Sequence, residues 1–350
     1  MESLDARFSD GQAEVFVASL PSGRRRVWVE PRSPRLFVPF FSCVTTYPLA
    51  LIQKILSAKG AAYLIDEILR DESPGYVQHD LKWSLLAYAD EAEFADARIL
   101  DFGCGSGSSS MTLARMFPSA RIVGIELEER LLSVARARAQ FYRCDNLSFG
   151  RSSAPSQLPP DMGLFDFVVL SAVYEHLLPA ERKALMPRLW HLLKPGGVLF
   201  LNATPNRNFP LEMHTTGLPF INYLPDKWAL AAARHLSRRN LEHCSWNDLL
   251  RAGIRGGTIK DIVAELSTAT HPAEVLEPRY CGTQDRIDLW FQLTSNSIGR
   301  ARSPFALAAK RCYRRLMKPV KSITGFELLP ELALAFRKQR ALENRSANGI

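Results

Sequence analysis

Several features are scarce or missing in this 350-residue sequence. Its six cysteines, Cys43, Cys104, Cys144, Cys244, Cys281 and Cys312, never form a CxxC pair. That excludes a zinc ribbon or a disulfide framework and points to a reducing compartment. There is no repeat and no low-complexity run, so solenoid, collagen-like and disordered classes are excluded. The opening MESLDARFSDG carries acids and no apolar run, so no secretory signal is expected. One uncharged stretch, Leu36 to Gln53, is interrupted by Pro39 and Pro48 and holds Ser42, Thr45 and Thr46. A membrane span wants ~20 mostly apolar residues, so this stretch is expected to line core or pocket instead. No Gly-Lys-Ser/Thr follows any glycine loop, which excludes a P-loop.

What is present is ordinary in bulk and uneven in charge. Apolar residues make up 47% and charged residues 23%, enough for about two domains, or one with insertions. The net charge of +8 is local. From Arg300 onward twelve Lys and Arg face three Glu, leaving thirty-two basic against thirty-three acidic residues elsewhere. The main body is therefore neutral, and the basic character belongs to the C-terminal segment.

The middle of the chain alternates strand and helix patterns. Strands are expected at 97–102, 120–126, 147–150, 165–171 and 198–203, with helices at 108–117, 128–142 and 180–193. The nearly all-apolar runs FDFVVLS and VLFLNA suit strands covered on both faces. Such alternation predicts a doubly wound, mostly parallel sheet. Beyond it a helix is expected at 258–266 and strands at 273–278 and 331–338. Before it, helices are expected near 49–58, 61–70 and 79–88, with an irregular start. Residues 205–250 form a long connection rich in Pro and aromatics, of the kind that shapes a ligand site.

The sharpest local signal is Asp101-Phe102-Gly103-Cys104-Gly105-Ser106-Gly107, after a strand and before a helix. Glycines there let the backbone turn tightly and approach a ligand. Glu126 ends the next strand, where an acid suits ribose hydroxyls. A nucleotide-like ligand follows from these residues. The spacing is G-x-G-x-G and not G-x-G-x-x-G, so the dinucleotide fingerprint is incomplete.

With these motifs the sequence resembles the class I S-adenosylmethionine-dependent methyltransferases. The resemblance is carried by ILDFGCGSG (99–107), VGIELEE (123–129), FDFVVLSAVYEHL (165–177) and LKPGGVLFLNATPN (193–206). It implies an α/β, Rossmann-like sheet of seven strands and S-adenosyl-L-methionine as cofactor. Asp101, Gly103, Cys104, Gly105 and Gly107 would hold its methionine part, Glu126 its ribose and Leu127 its adenine. Ser152 or Ser153 falls where the family often reads the adenine amino group with Asp, and Ser171 ends a strand near the methyl group. Residues 1–95 are expected as a helical cap, 96–338 as the methyltransferase domain, and 339–350 as a tail. Residues 205–250 would be a lid and 281–325 a basic helical insertion.

Methyl transfer needs a general base only where the acceptor loses a proton. Glu175 and His176 follow the fourth strand, and His214 sits with Glu212 in the lid. His214 is the candidate base, and His176 either shares that role or orders the turn beside the cofactor. In the similar ubiquinone-pathway O-methyltransferases acids and a His here form a metal site; the matching upstream acid would fall at Ala172, so that metal is not carried over and none is expected. Phe305, Ala308, Ala309, Cys312, Tyr313, Leu316, Met317 and Val320 recur at three- and four-residue steps, with Lys310, Arg311, Arg314, Arg315, Lys318 and Lys321 between them. That is a basic amphipathic helix, either packed on the domain or lying on an anionic surface.

The expectation is a cytoplasmic O-methyltransferase of a small-molecule, sugar or lipid-linked acceptor, with peripheral contact to the inner membrane face through 301–321. Nucleic acid is not an expected partner, and the oligomeric state is open. The rivals are an RNA or protein methyltransferase docking through the basic helix, and a cofactor-binding module without catalysis.

Overall fold

Val15, Val17, Val27 and Val29 alternate with the less buried Glu14, Phe16, Arg26 and Trp28, and in the computed structural model they line one face of an antiparallel sheet. The structure describes residues 3–267, 271–295, 298, 303–325 and 327–339. The first strands are β1 (Ser3–Ser9), β2 (Ala13–Ser19), β3 (Arg25–Pro31) and β4 (Ser42–Thr45), in sheet order β1-β2-β3-β4. They pack on α1 (Leu49–Lys59) and α2 (Ala61–Glu72) through Ile52, Ile55, Leu64 and Ile65, all fully buried. The helical cap over 1–95 is thus a correction: its first part, Ser3–Thr45, is a four-stranded antiparallel sheet. Its period-two pattern is short, and each strand turns back within a few residues, so neighbouring strands rather than a long run carry the signal.

α3 (Val77–Leu86) leads into the second sheet. There β5 (Arg98–Phe102), α4 (Ser108–Met116), β6 (Arg121–Glu126), α5 (Glu129–Tyr142) and β7 (Leu147–Arg151) form the first half. β8 (Phe165–Ser171), α6 (Pro179–Leu192) and β9 (Leu193–Pro205) follow. A helical excursion, α7 (Asp226–Leu236) and α8 (Trp246–Arg251), precedes α9 (Ile259–Leu266), β10 (Ala273–Val275), α10 (Arg286–Ser295), α11 (Pro304–Thr324) and β11 (Glu331–Lys338). The seven strands lie in the order β10-β11-β9-β8-β5-β6-β7. Every pair from β9 to β7 is parallel, and β11 runs antiparallel to both its neighbours.

Both faces of this sheet are covered, which is why its strands read as continuous apolar runs. Ile99, Ile122, Phe167 and Phe200 face one layer, where Phe94 stacks on Phe117 and Phe167 with ring centroids 4.3 Å apart. Leu100, Ile125, Val168 and Leu199 face the other, against the fully buried Trp190. The chain reverses its direction of winding between β5 and β8. A crevice therefore opens at their carboxyl ends, beside the glycine loop.

Two other expectations are corrected. The 205–250 lid has its own small core, Ile221, Ala229, Ala233 and Leu249 among it, so it is a packed helical unit and not an open loop. In α11 Lys310, Arg314, Lys318 and Lys321 face inward, while Arg311 and Arg315 stay exposed. Arg314 and Lys318 pair with Asp288 at 2.7 Å each, and Lys321 pairs with Glu327 at 2.9 Å. Phe305, Leu316 and Ile323 are exposed instead. Acids on α10 and around it attract the cations more than the apolar stripe gains by burial, so the helix is turned over. Apart from Gln339, the expected tail lies outside the described residues. Among the described residues no helix is long and apolar enough to cross a membrane.

Candidate functional site

The loop after β5 is wound through three left-handed glycines, Gly103, Gly105 and Gly107, at φ 74°, 56° and 87°. The N–H groups of Gly103 and Cys104 donate to the Ile125 carbonyl at 2.8 and 3.0 Å, which ties the loop to β6. The glycines differ in what a side chain would meet. A Cβ on Gly103 would lie 2.6 Å from Val173, and one on Gly107 2.7 Å from Ala135. At Gly105 nothing stands within 4 Å. That empty space opens into a cavity of about 1240 Å³. Its wall runs from the glycine loop to Ser171, Ala172, Asn202 and Ala203 at the ends of β8 and β9. Ala172 and Ala203 hold the left-handed region at φ 54° and 58°, a strain that clusters where a wall must be shaped.

Asn202 matters here. The residue is 6% exposed, its Oδ1 has no hydrogen-bond partner among the described residues, and its Nδ2 reaches Ser171 Oγ only at 3.5 Å. A buried acceptor without a donor costs ~1–3 kcal/mol, which a ligand donor would recover. A cavity built this way, with a backbone cradle at one end and an unpaired amide oxygen at the other, fits a nucleoside-bearing donor and a second small molecule together.

The expected cofactor residues take different places. Cys104 is buried in the wall, and burial pushes its thiol well up, so it is chemically inert. Asp101 is behind the wall and buried, which raises its carboxyl. It accepts from Ser109 and Ser110 at 2.6 Å each and so fixes the start of α4. Glu126 accepts at Oε2 from the Gly105 N–H at 3.0 Å and at Oε1 from the N–H groups of Leu127 and Glu128. It braces the cradle, and Leu127 stands exposed beside it. The Ser152 hydroxyl donates to the Ala154 and Gln157 carbonyls within its own turn, and the hydroxyl of Ser153 goes to the Gln157 side chain.

Glu175, His176 and His214 come together, although 39 residues of chain separate the first from the last. One donor atom from each lies within 4.8 Å of the others. Glu175 is fully buried, and burial raises its carboxyl, against the pull of His176. Partial enclosure of the His214 ring, with His176 beside it, lowers the His214 pKa and favours the neutral imidazole at pH 7. None of the three lines the cavity. Glu212 serves the lid backbone, accepting from the N–H groups of His214, Thr215 and Thr216.

The cavity also has a wall that the sequence reading missed, made by Lys59 at the end of α1, by Tyr63, Glu67 and Arg70 of α2 and by Arg207 and Lys260. The signal was a polar stripe along α2 at three- and four-residue steps.

Residues 99–197 match the family model described as a methyltransferase domain. These residues carry a methyltransferase domain. The chain is 38% identical over 114 residues to the trans-aconitate 2-methyltransferase of Variovorax paradoxus, covering 33% of this chain and 41% of that one. It is 34% identical over 133 residues to the ubiquinone biosynthesis O-methyltransferase of Aromatoleum aromaticum, covering 37% and 54%. The chain thus spans about half the length of the curated relatives it matches. Among solved structures, the YcgJ protein of Bacillus subtilis is similar over 70% of this chain and 93% of its own, with 14% identity and a TM-score of 0.40. The cofactor of this methyltransferase class is S-adenosylmethionine, and the open cradle at Gly105 fits its amino-acid end.

Proposed function

We propose that the chain transfers a methyl group from S-adenosylmethionine to a hydroxyl of a small-molecule, sugar or lipid-linked acceptor. One observation carries the reading. The empty side-chain space of Gly105 opens into the same cavity that Ser171 and the unpaired Asn202 oxygen line from the strand ends. The loop from Gly103 to Ser106 would hold the amino-acid part of the donor, Glu126 the ribose and Leu127 the adenine. When bound, the donor supplies a methyl carbon already activated by its sulfonium. The chain then has to position. Asn202 Oδ1 would accept from the acceptor's hydroxyl, with Ser171 Oγ beside it, and hold its oxygen in line. The proton released as the methyl is transferred would pass to water in the cavity, because none of Glu175, His176 and His214 lines it.

The names of the relatives, for trans-aconitate and for ubiquinone biosynthesis, support a small-molecule acceptor. The outward apolar residues of α11, flanked by Arg311 and Arg315, support peripheral contact with an anionic membrane. The rival of docking RNA or protein on a basic helix loses weight, because Lys310, Arg314, Lys318 and Lys321 are spent within the domain.

Calorimetric titration with S-adenosylhomocysteine is expected to give one site per chain. Isotopically labelled methyl should then pass to a hydroxyl in an acceptor panel. A preference for NAD, or no nucleoside binding at all, overturns the reading.

A further inference from the structure

The cluster of Glu175, His176 and His214 has the makings of more than a turn. Glu175 is fully buried, and only its Oε2 is used, accepting from Thr204 Oγ1 at 3.0 Å. Oε1 has no hydrogen-bond partner among the described residues. It lies 3.8 Å from His176 Nε2. A buried carboxylate oxygen without a donor is expensive to keep, and something positive would be expected opposite it.

The two imidazoles are prepared in a particular way. His176 Nδ1 stands 2.6 Å from the Arg251 carbonyl, which can only accept, so the proton sits on Nδ1 and the Nε2 lone pair faces Glu175. A ring nitrogen anchored by a carbonyl while the other stays free is the usual support of a metal-ligating histidine. His214 is fixed through its backbone. Its N–H donates to Glu212 at 2.7 Å, and its carbonyl accepts from Arg239 at 2.6 Å. Its ring is held 5.7 Å from that of His176.

We propose that Glu175, His176 and His214 bind a divalent first-row transition ion, which fastens the lid to the end of β8. Two imidazoles and one carboxylate suit zinc, iron or cobalt better than magnesium or calcium, which prefer oxygen. Ligand distances of about 2.0–2.2 Å set donors about 3.4 Å apart in a tetrahedral site. The three donors already lie within 4.8 Å of one another, so side-chain rotations close the remaining ångström. His176 and His214 are not fully buried, which leaves a coordination position for water or for an oxygen of a ligand. The third donor, His214, comes from the lid, a contact visible only after folding.

The test needs neither cofactor nor acceptor, so its failure leaves the methyl-transfer reading untouched. The full chain is stripped with chelator and titrated with Co²⁺ by absorption and with Zn²⁺ by calorimetry. One ion per chain is expected, with weak visible bands and without the strong near-ultraviolet band of thiolate ligation, which controls for the exposed Cys281 and Cys312. His214→Gln should weaken binding ~100-fold or more, since even supporting residues cost 10–100-fold. Zn²⁺ should raise the melting temperature of the wild type and not of this variant. Glu175→Gln should behave alike; should that buried change prevent folding, the exposed His214→Gln decides. No stoichiometric ion, a thiolate spectrum, or unchanged affinity in His214→Gln overturns the proposal.

Discussion

Arg138, on α5, donates to both the carbonyl and the hydroxyl oxygen of Ser106 at 2.8 Å. The same guanidinium donates to the Glu67 carbonyl on α2 at 2.6 Å, and the Glu67 carboxylate accepts from Ser106 Oγ. One fully buried arginine therefore holds the glycine loop against the amino-terminal unit. The N-terminal sheet and its helices in this way support the glycine loop.

Glu67→Gln tests that link. Burial alone would raise the Glu67 carboxyl, but Arg138, Lys59 and Arg70 hold it down to about 2, from an ordinary 4.5. A depressed carboxylate stabilises the fold fully above the unfolded value and loses that contribution as the pH falls from about 4.5 towards 2. The loss is on the order of 3 kcal/mol. Urea unfolding of the variant should show a loss of that size at pH 7 and a shallower decline in acid. Equal stabilities at pH 7 would mean that the pair contributes nothing net.

Gly105 and Gly107 should respond differently. Gly105→Val has open space for its side chain but strains a backbone held at φ 56°, so some loss of melting temperature is expected while cofactor-product binding disappears, the side chain standing where the ligand belongs. Gly107→Ala adds to the same kind of strain a contact with Ala135 Cβ at 2.7 Å and its backbone Cα at 2.9 Å, so soluble yield and melting temperature should fall further. Circular dichroism beside calorimetry separates the two, and a folded Gly105→Val that still binds the cofactor product would refute the open cradle.

Glu126→Ala should weaken cofactor-product affinity by about 1–3 kcal/mol, through lost bracing of the loop and a lost contact to ribose. Calorimetry reads this directly. An unchanged affinity would place the ribose elsewhere.

The two faces of α11 can be told apart. Arg311→Gln with Arg315→Gln, or Phe305→Ser with Ile323→Ser, should reduce sedimentation with anionic vesicles without changing the melting temperature. Added salt should have the same effect, since screening acts within ~8 Å at physiological ionic strength. Arg314→Ala should lower the melting temperature instead, because Asp288, 3% exposed, would lose a partner. Equal binding to neutral vesicles would refute the electrostatic part.

The strands and helices of the large sheet could be read from the sequence because burial on both faces writes itself as unbroken apolar runs. Even β11, Glu331–Lys338, falls where the sequence places it. The small sheet escaped, since its strands alternate and take meaning only from neighbours. In α11 the period was legible but not the direction it faces, which Asp288 and Glu327 decide from other elements. The glycine cradle was local and therefore visible. The fully buried Arg138, and the meeting of His214 with Glu175, depend on long-range packing that no short pattern carries.

The antiparallel pairing of β11 with β9 also bears on how the chain comes to be folded. Residues 331–338 insert between β9 and β10, more than 120 positions from the strand they bond to. A parallel core from β7 to β9 can assemble as soon as residue 205 is made. Its open β9 edge, with Leu199 and Leu201 beside it, must wait for the whole lid and α10–α11 segment to be synthesised. Until then that edge is a template for mispairing, and closing so large a loop makes its docking slow. The nascent chain is most exposed to aggregation in this interval.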